Sequence, residues 1–557
     1  MKNCIVLLSL LTAGLFGASC VKVDNSLGKG LVDKNLIYST YTQEFPLEQI
    51  KMKLSEDLSG YSDSHLTIGA IRDEVFGLTT RSAAFPIVPA LDTINFGKDP
   101  KAVSFDIYFA PDTISCADDS QKGIFQNIYV YELLDSLNRN NTLASQDIPH
   151  GTNVITKGIP VYDGTGALDI TFTTEFAQKY LDELVSMGPI LVDRTSENVD
   201  IYYKDYVGRL PGIYIETDIP EGNGGRINMF DFSCLSVSNN YYYRNNNVAY
   251  LKVNSEWNGV RKDSTFLFVP GEPEFVDEVS AITNNQKFYQ YCFNRTTHST
   301  TETSPAASLL VEGGTGLKPV ISAKEIREKT IEAILNNGGD PDKVIIVKAT
   351  IELPYEQPED YMDMKYFPSV LSPTIRRTLE TTEEYDAVAY AGLTDASVST
   401  ENQGDIDRSN LLYCPDITYH LQELLKRKDL DKATDADIWL LTIHTRKEAN
   451  ASGSLYDNSY YQNLMYASYY NSLYGGGYGG YGGYGYGGYG GYGGYGGYGY
   501  NNYYNYMMLA QMMAASQQQT YTYTQELDKD RYYRAVLNGP SASRPPVFRV
   551  TYAFPGK

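Results

Sequence analysis

Apolar and polar residues alternate along much of this chain with the two-residue period of half-buried β-strands. The clearest stretch is residues 101–109, in which Val103, Phe105, Ile107 and Phe109 would share one face. Similar short runs are rich in Val, Ile, Tyr, Phe and Thr, and loops rich in Gly, Asn, Asp or Pro separate them. The pattern predicts further strands at residues 128–133, 168–172, 212–219, 227–232, 248–253, 265–269, 344–353, 438–443 and 547–554.

Three segments carry apolar residues at helical spacing instead. The first has its apolar face on residues 176–184 and ends at Gly188. The second begins with Ser322 and Glu325 in the spacing of a capping box and ends at Gly338. The third has its apolar face on residues 417–425. We expect each helix to lie on the flank of a sheet.

Many short strands joined by irregular polar loops favour antiparallel sandwiches over an α/β sheet. Two strands, at residues 101–109 and 343–353, each follow a turn of Gly, Asp and Pro and each lead into an acidic loop. A chain of 557 residues is long enough for more than one core. We therefore predict a mainly β protein with two antiparallel β-sandwich regions, residues 36–300 and 301–557, and a few short helices.

The N-terminus has the layout of an export signal that ends in a cysteine. Lys2 is followed by an apolar run at residues 5–16, which is too short to cross a bilayer, and then by small residues up to Cys20. This arrangement predicts a lipoprotein signal peptide at residues 1–19, an acylated Cys20 and a polar tether at residues 20–35. The alternative is an ordinary secretory signal with an incidental cysteine.

The charge of the chain restricts its partners. The formal net charge is -22, so nucleic acid phosphates would be repelled, and the charge also argues against a polybasic membrane-surface site. Four cysteines follow Cys20, and their wide spacing gives no zinc motif. An export compartment permits disulfides, and both disulfide bonds and buried thiols stay open. These cysteines are Cys116, Cys234, Cys292 and Cys414.

Four short stretches resemble the Bacteroidota lipoproteins of the domain of unknown function 4270 family. Residues 66–80, LTIGAIRDEVFGLTT, resemble a turn of the family, and residues 210–215, LPGIYI, resemble one of its strands. Residues 348–354, KATIELP, and 544–552, RPPVFRVTY, match in kind. The resemblance implies an outer-membrane lipoprotein with jelly-roll-like β-sandwiches, and it brings no catalytic residues.

A low-complexity tract of Gly and Tyr departs from the family pattern. It lies within a Tyr-, Asn-, Gln- and Met-rich region of about residues 459–519, which we expect to be a disordered loop of the second sandwich region. Its tyrosines would form an interaction arm that stacks on sugars or other rings, or the tract is a repeat expansion in a surface loop. The tyrosines are Tyr474, Tyr478, Tyr481, Tyr484, Tyr486, Tyr489, Tyr492, Tyr495, Tyr498 and Tyr500.

No motif for catalysis or metal binding stands out. The five histidines are far apart, and we expect each to be exposed or satisfied by a neighbour. Acidic residues near Asp360, and Asp112, Asp118 and Asp119 around Cys116, are expected to be solvated. We therefore predict no catalytic residue, no metal and no cofactor. The histidines are His65, His150, His298, His420 and His444.

Three hypotheses for function follow. The first is a non-catalytic outer-membrane lipoprotein that acts as a scaffold or interaction platform in an envelope complex, such as outer-membrane protein or surface-lipoprotein assembly. Its partners would be the membrane, through the lipidated N-terminus, and envelope proteins. The second is a surface glycan-binding lipoprotein. The third, a hydrolase, would use Glu359 or Asp360. Both faces of the outer membrane stay open.

Overall fold

The structure is a computed structural model that describes most of the chain from Tyr38 to Pro555. The described residues are 38–62, 65–91, 93–117, 119–137, 143–189, 191, 199–232, 235–238, 241–243, 248–273, 287–288, 290–305, 307–379, 387–394, 401–427, 436–449 and 521–555. The described part is mainly β, with antiparallel sheets and few helices, as predicted.

The first sandwich packs a five-stranded sheet against a larger one, and both inner faces meet in one apolar core. The larger sheet contains β3 (Tyr61–Ser62), β4 (His65–Asp73), β5 (Gly77–Phe85), β8 (Pro111–Cys116), β9 (Gln126–Leu133), β10 (His150–Val154), β11 (Val161–Tyr162), β13 (Ile213–Thr217), β14 (Gly224–Asp231), β19 (Glu272–Pro273) and β21 (Gln290–His298). The smaller sheet contains β6 (Ile87–Pro89), β7 (Lys98–Phe109), β12 (Leu168–Thr171), β17 (Val248–Trp257) and β18 (Val260–Pro270). A separate three-stranded sheet has β15 (Leu235–Ser238), β16 (Tyr241–Tyr243) and β20 (Lys287–Phe288).

The second sandwich has its own core between two further sheets. One sheet contains β1 (Tyr38–Pro46), β24 (Ile345–Pro354), β27 (Ile406–Asp407), β28 (Leu412–Tyr413) and β32 (Val547–Pro555). The other contains β2 (Ile50–Leu54), β23 (Leu317–Ile321), β25 (Val370–Leu379), β26 (Ala387–Gly392), β29 (Ile438–Ala449) and β30 (Tyr521–Leu527). A two-stranded sheet pairs β22 (Ser308–Glu312) with β31 (Arg534–Asn538).

Four α-helices lie within the described ranges: α1 (Thr174–Met187), α2 (Val199–Arg209), α3 (Ala323–Asn336) and α4 (Thr418–Lys426). The three predicted helices are confirmed as α1, α3 and α4, whereas α2 was not predicted. Gly188 ends α1, and the Ser322 hydroxyl accepts the Glu325 amide at the start of α3. The Glu325 carboxylate does not complete a capping box. It accepts the amides of Glu48 and Gln49, both at 2.9 Å, and so ties the β1–β2 turn to α3. Short 3₁₀ helices span Asp119–Gly123, Pro341–Lys343 and Tyr361–Tyr366.

The strand pairing at the N-terminus differs from the division of the sequence at residue 300. β1 pairs with β32 over its full length, and β2 pairs with β23. Both strands therefore belong to sheets of the second sandwich, although residues 36–54 were assigned to the first region. The described chain therefore begins in the second sandwich, then forms the first sandwich, and finally forms the rest of the second sandwich.

The Gly/Tyr-rich region falls between two paired strands, β29 and β30. β29 pairs with β25 only as far as Ile443, and the remaining residues up to Ala449 pair with β30 alone. This hairpin extends six residues past the sheet, or about 20 Å. Residues 450–520, which include the ten tyrosines of the tract from Tyr474 to Tyr500, lie outside the described residues.

Gly69 marks a place where two strands approach too closely for a side chain. Its φ is +142°, and a Cβ atom would lie 2.2 Å from the Arg226 carbonyl oxygen of β14. We expect Gly69→Ala to lower the free energy of unfolding by about 1–3 kcal/mol or more, because the strand must shift or strain. Chemical denaturation followed by circular dichroism measures this. Gly123→Ala is the control, since its Cβ would meet open space. Equal midpoints for both variants would contradict the prediction.

Candidate functional site: a charged junction between the sandwiches

The most concentrated group of buried charges lies where the two sandwiches meet. It is built around residues 528–533, here called the junction loop, which connects β30 to β31. Asp528 fixes the loop to the second sandwich, since its amide donates to the Thr442 carbonyl at 2.9 Å. Its carboxylate accepts the Arg531 amide at 3.1 Å and the Tyr533 hydroxyl at 2.7 Å. These hydrogen bonds close the junction loop into a turn, and the tip of this turn lies against the first sandwich.

Asp530, at the tip of the junction loop, is the main contact with the first sandwich. Its buried carboxylate accepts the Ser62 hydroxyl at 2.5 Å and the Asn294 amide nitrogen at 3.1 Å. His65 Nδ1 lies 3.5 Å from the same carboxylate, and His65 Nε2 lies 3.4 Å from Asp112 Oδ2. One imidazole is therefore held between carboxylates of β8 and the junction loop.

This geometry determines the charge of His65. Burial alone would lower its pKa, but the hydrogen bonds and charges of Asp112 and Asp530 outweigh burial and raise the pKa to about 10. Burial would raise the pKa of Asp530, and the hydrogen bonds and charge of His65 instead lower it to about 2. At neutral pH the contact is an imidazolium between two carboxylates, which is an ion pair across the junction.

Ser62, His65 and Asp530 have the residue types of a hydrolytic triad but not its arrangement. The Ser62 hydroxyl donates to the Asp530 carboxylate, whereas a nucleophilic serine donates to histidine. His65 is protonated at neutral pH and so cannot accept the proton of a serine. This geometry supports a structural ion pair.

Arg81 of β5 is the second charged group that bridges the sandwiches. Its Nη1 donates to Thr296 Oγ1 at 2.6 Å and to the Lys529 carbonyl at 2.9 Å. Lys529 Nζ in turn donates to the Tyr61 carbonyl at 2.7 Å. Arg81 is fully buried, which lowers its pKa to about 10 although Asp530 and Asp528 oppose the shift.

A cavity of about 10 Å³ lies beside Arg81, with Gly314 and Asp530 in its wall. Within the described residues, Arg81 Nε and Nη2 have no hydrogen-bond partner. The volume suits about one water molecule, which would satisfy these donors, and it is too small for an organic ligand. The cavity therefore has the size of a site for one water molecule and not of a ligand-binding pocket.

A second buried cluster lies where the chain returns from the first sandwich. His298 Nδ1 lies 3.2 Å from Glu312 Oε2, and the same oxygen accepts the Leu317 amide at 3.0 Å. Lys318 Nζ donates to the carbonyls of Gly314 and Gly316, both at 3.1 Å. Burial lowers the pKa of Lys318 to about 7, and the charge of Glu312 opposes that shift.

An aromatic contact also joins the two sandwiches. The Tyr366 hydroxyl donates to the Cys116 carbonyl at 2.5 Å, and its ring meets Tyr532 edge-on. The Arg534 guanidinium lies 4.6 Å from the Tyr366 ring centre and pairs with the carboxylates of Asp73 and Asp363. Polar and aromatic contacts thus both join the two sandwiches.

The structure brings together only some of the residues considered in the sequence. Asp112, expected to be solvated, pairs with His65, and Asp119 pairs with Lys122 and Lys365. His444 also lies at the junction, because its Nδ1 is 3.8 Å from Asp528 Oδ2 of the junction loop. The remaining histidines lie elsewhere: His298 pairs with Glu312, His150 stacks on Tyr131 and Tyr214, and His420 is buried beside the Ala436 carbonyl.

The cysteines within the described ranges are unbridged. Cys116 and Cys292 are buried thiols, and Cys414 is half-buried. Cys20 and Cys234 lie outside the described residues, as do Asp118 and the tyrosines of the Gly/Tyr tract. The predicted lipid attachment at Cys20 and the predicted interaction arm therefore stay predictions.

The junction loop was not predicted from the sequence, although the sequence contains a local signal of it. The stretch Asp528–Arg534 reads DKDRYYR, in which charges of both signs stand beside two adjacent tyrosines. An exposed turn has little use for adjacent tyrosines, so this composition indicates a buried contact.

The described residues provide neither a metal site nor a membrane-spanning helix. In this part of the chain, no three or more His, Cys, Asp or Glu residues are placed to hold a metal ion. The helices described there also fall short of the length and apolarity needed to cross a bilayer.

Comparisons with known proteins add no family. Neither a family model, nor a curated protein, nor a solved structure matches this chain.

Proposed function

We propose that this protein is a non-catalytic lipoprotein, held at the bacterial outer membrane through Cys20, whose sandwiches form a rigid platform for other envelope proteins. The lipid anchor is supported by the signal-like segment that ends in Ala18, Ser19 and Cys20. The platform role is supported by the charged junction, because a platform needs its two parts to keep a fixed orientation.

The observation that carries the proposal is the position of Asp530 in the junction. Domain contacts within a chain are usually polar and permit relative motion. Here a buried carboxylate of one sandwich accepts hydrogen bonds from Ser62 and Asn294 of the other and pairs with His65. Separating the sandwiches would leave these charges unpaired, and such a loss is costly. The sandwiches therefore act as one body.

The anchor is tested by replacing Cys20. We expect Cys20→Ala to move the full-length protein from the membrane pellet to the soluble fraction and to abolish acyl modification in mass spectra, because acyl chains supply the membrane affinity. Cys4→Ala is the matched control: it removes a cysteine from the same signal segment and should leave both readouts unchanged. An unacylated wild-type protein in the cytosol would overturn the proposal.

The platform role is tested by crosslinking in living cells. A photo-crosslinking residue at exposed Phe125 of the first sandwich should capture a stoichiometric envelope protein. Recovery of the acylated protein without any stoichiometric neighbour, from several exposed positions, would contradict the platform role and leave the anchor intact.

A further inference from the structure

The described chain begins at one end of the second sandwich. Tyr38, the first residue of β1, pairs with Pro555, and Ile345, the first residue of β24, pairs with Ala553. α3 ends at the same place, because Asn337 Nδ2 donates to the Tyr552 hydroxyl at 2.8 Å. These residues define the anchor end of the second sandwich.

The junction lies at the opposite end of the same sheet. β24 runs from Ile345 at the anchor end to Pro354, a distance of about 30 Å. The chain then leads to the 3₁₀ helix Tyr361–Tyr366, whose last residue contacts Cys116 of the first sandwich. The second sandwich thus separates the anchor end from the first sandwich.

Four large apolar side chains are exposed at the anchor end. Tyr38 is 45% exposed, Leu335 56%, Ile345 47% and Val347 53%. Tyr38 and Ile345 share the outer face of the sheet, since their partners on β32 are two residues apart. The ladder shifts register between Ile346 and Lys348, which leaves Val347 as a protruding bulge. Leu335 reaches the same end from α3.

The length of the preceding chain indicates what covers this surface. Tyr38 lies 18 positions after Cys20, and a flexible chain of that length has a root-mean-square span of about 20–25 Å. A lipid on Cys20 would therefore hold the anchor end near the bilayer, whereas the junction lies about 30 Å from the anchor end along β24.

The anchor end carries little net charge. Asp340 is paired with Lys343 at 3.3 Å, and the exposed Asp342 adds one negative charge beside this pair. The chain as a whole is strongly acidic and gains nothing from anionic lipid. Aromatic and aliphatic side chains at a membrane interface favour the boundary between headgroups and acyl chains.

We propose that Tyr38, Leu335, Ile345 and Val347 form a membrane-contact patch that rests on the bilayer carrying the acylated Cys20. This inference depends on the proposed lipid anchor and adds an orientation to it. The second sandwich lies against the lipid, and the first sandwich is held away from the membrane, where it is accessible to partners.

Tryptophan fluorescence tests the orientation, because the chain has only two tryptophans. The acylated full-length variants Ile345→Trp and Leu335→Trp are reconstituted in phosphatidylcholine vesicles with and without nitroxide-labelled lipid. We expect the added fluorescence to lose half or more of its intensity with labelled lipid. Phe125→Trp, on an exposed residue of the first sandwich, is the matched control and should lose several-fold less.

The outcomes separate the inference from the proposed function. Acylated protein on vesicles without quenching at either anchor-end position would overturn the inference alone. Stronger quenching at Phe125→Trp would also overturn it, because the orientation would be reversed. If the emission of Ile345→Trp is shifted to the blue but is not quenched by labelled lipid, a protein and not the bilayer covers this position. That result would also overturn the inference. An unacylated protein would overturn the inference and the proposed function together. Unchanged thermal unfolding of both anchor-end variants excludes misfolding as the cause.

Discussion

Replacing Asp530 with alanine is expected to lower the free energy of unfolding by about 3–5 kcal/mol, because it removes one partner of a buried ion pair. His65 would keep only Asp112, whose side chain is 43% exposed. The Ser62 hydroxyl and the Asn294 amide would lose the carboxylate to which they donate. Denaturant titration followed by circular dichroism measures the change.

A second substitution at the same position separates charge from hydrogen bonding. Asp530→Asn keeps an oxygen that accepts the Ser62 hydroxyl but removes the charge that faces His65. We expect it to be less destabilising than Asp530→Ala. The control is Glu44→Ala, which breaks the exposed pair with Arg549 and should cost less than about 1 kcal/mol.

Hydrogen exchange shows where the protein loosens. Amides of the junction loop and of β3 and β4 should exchange faster in Asp530→Ala, since these elements meet at the carboxylate. If Asp530→Ala is as stable as the wild type and exchanges at the same rate, the junction does not hold the sandwiches together. The proposed platform would then lose the observation that carries it.

Local patterns in the sequence were sufficient to predict ten of the 32 strands that the structure describes. The run at residues 101–109 is confirmed as β7, because alternation of apolar residues is a property of neighbouring positions. The starts and ends of helices are equally local, as the Ser322 cap and Gly188 show. The hairpin of β4 and β5 was read only as a family turn, although it supplies two strands of the larger sheet.

Pairing between distant strands left no local signal. β1 pairs with β32 across almost the whole chain, and nothing in residues 38–46 indicates that partner. The pattern shows that a strand exists, but its partner is decided by the packing of the whole core. The assignment of residues 36–54 to the first sandwich therefore differs from the strand pairing.

The charged junction was beyond the reach of sequence for the same reason. Ser62 and Asp530 are 468 positions apart, and neither belongs to a motif. Asp112 was expected to be solvated because clusters of carboxylates arise by chance in a chain this acidic. Its position is set instead by the order β4–β14–β8, which brings His65 within reach. The composition around Asp112 could not show this.

The contribution of His65 to stability is expected to decline as pH rises from 6.5 to 10. The pKa of His65 is about 10 in the folded protein and 6.5 as the ordinary value. Below pH 6.5 both states are protonated, and the ion pair contributes fully. Above pH 6.5 the unfolded state releases its proton while the folded state keeps it. Unfolding therefore becomes easier by up to about 1.4 kcal/mol per pH unit.

The measurement is the difference in unfolding free energy between wild type and His65→Asn at several pH values. Wild-type data alone would mislead, because the pKa of Lys318 is lowered to about 7 and its effect between pH 7 and 10.5 has the opposite sign. Subtraction of the variant removes that contribution. The difference should be largest at pH 6 and should shrink by several kcal/mol by pH 10.

His420→Asn provides a control of opposite sign. Burial lowers the pKa of His420 to about 3, so this histidine is neutral in the folded protein. Its contribution is present above pH 6.5 and is lost as pH falls towards 3, because the unfolded state takes up a proton first. The difference for His420→Asn should therefore stay flat between pH 6.5 and 10, where the difference for His65→Asn shrinks. A flat profile for both would mean that His65 is neutral in the junction, and the contact with Asp530 would then be a hydrogen bond without an ion pair.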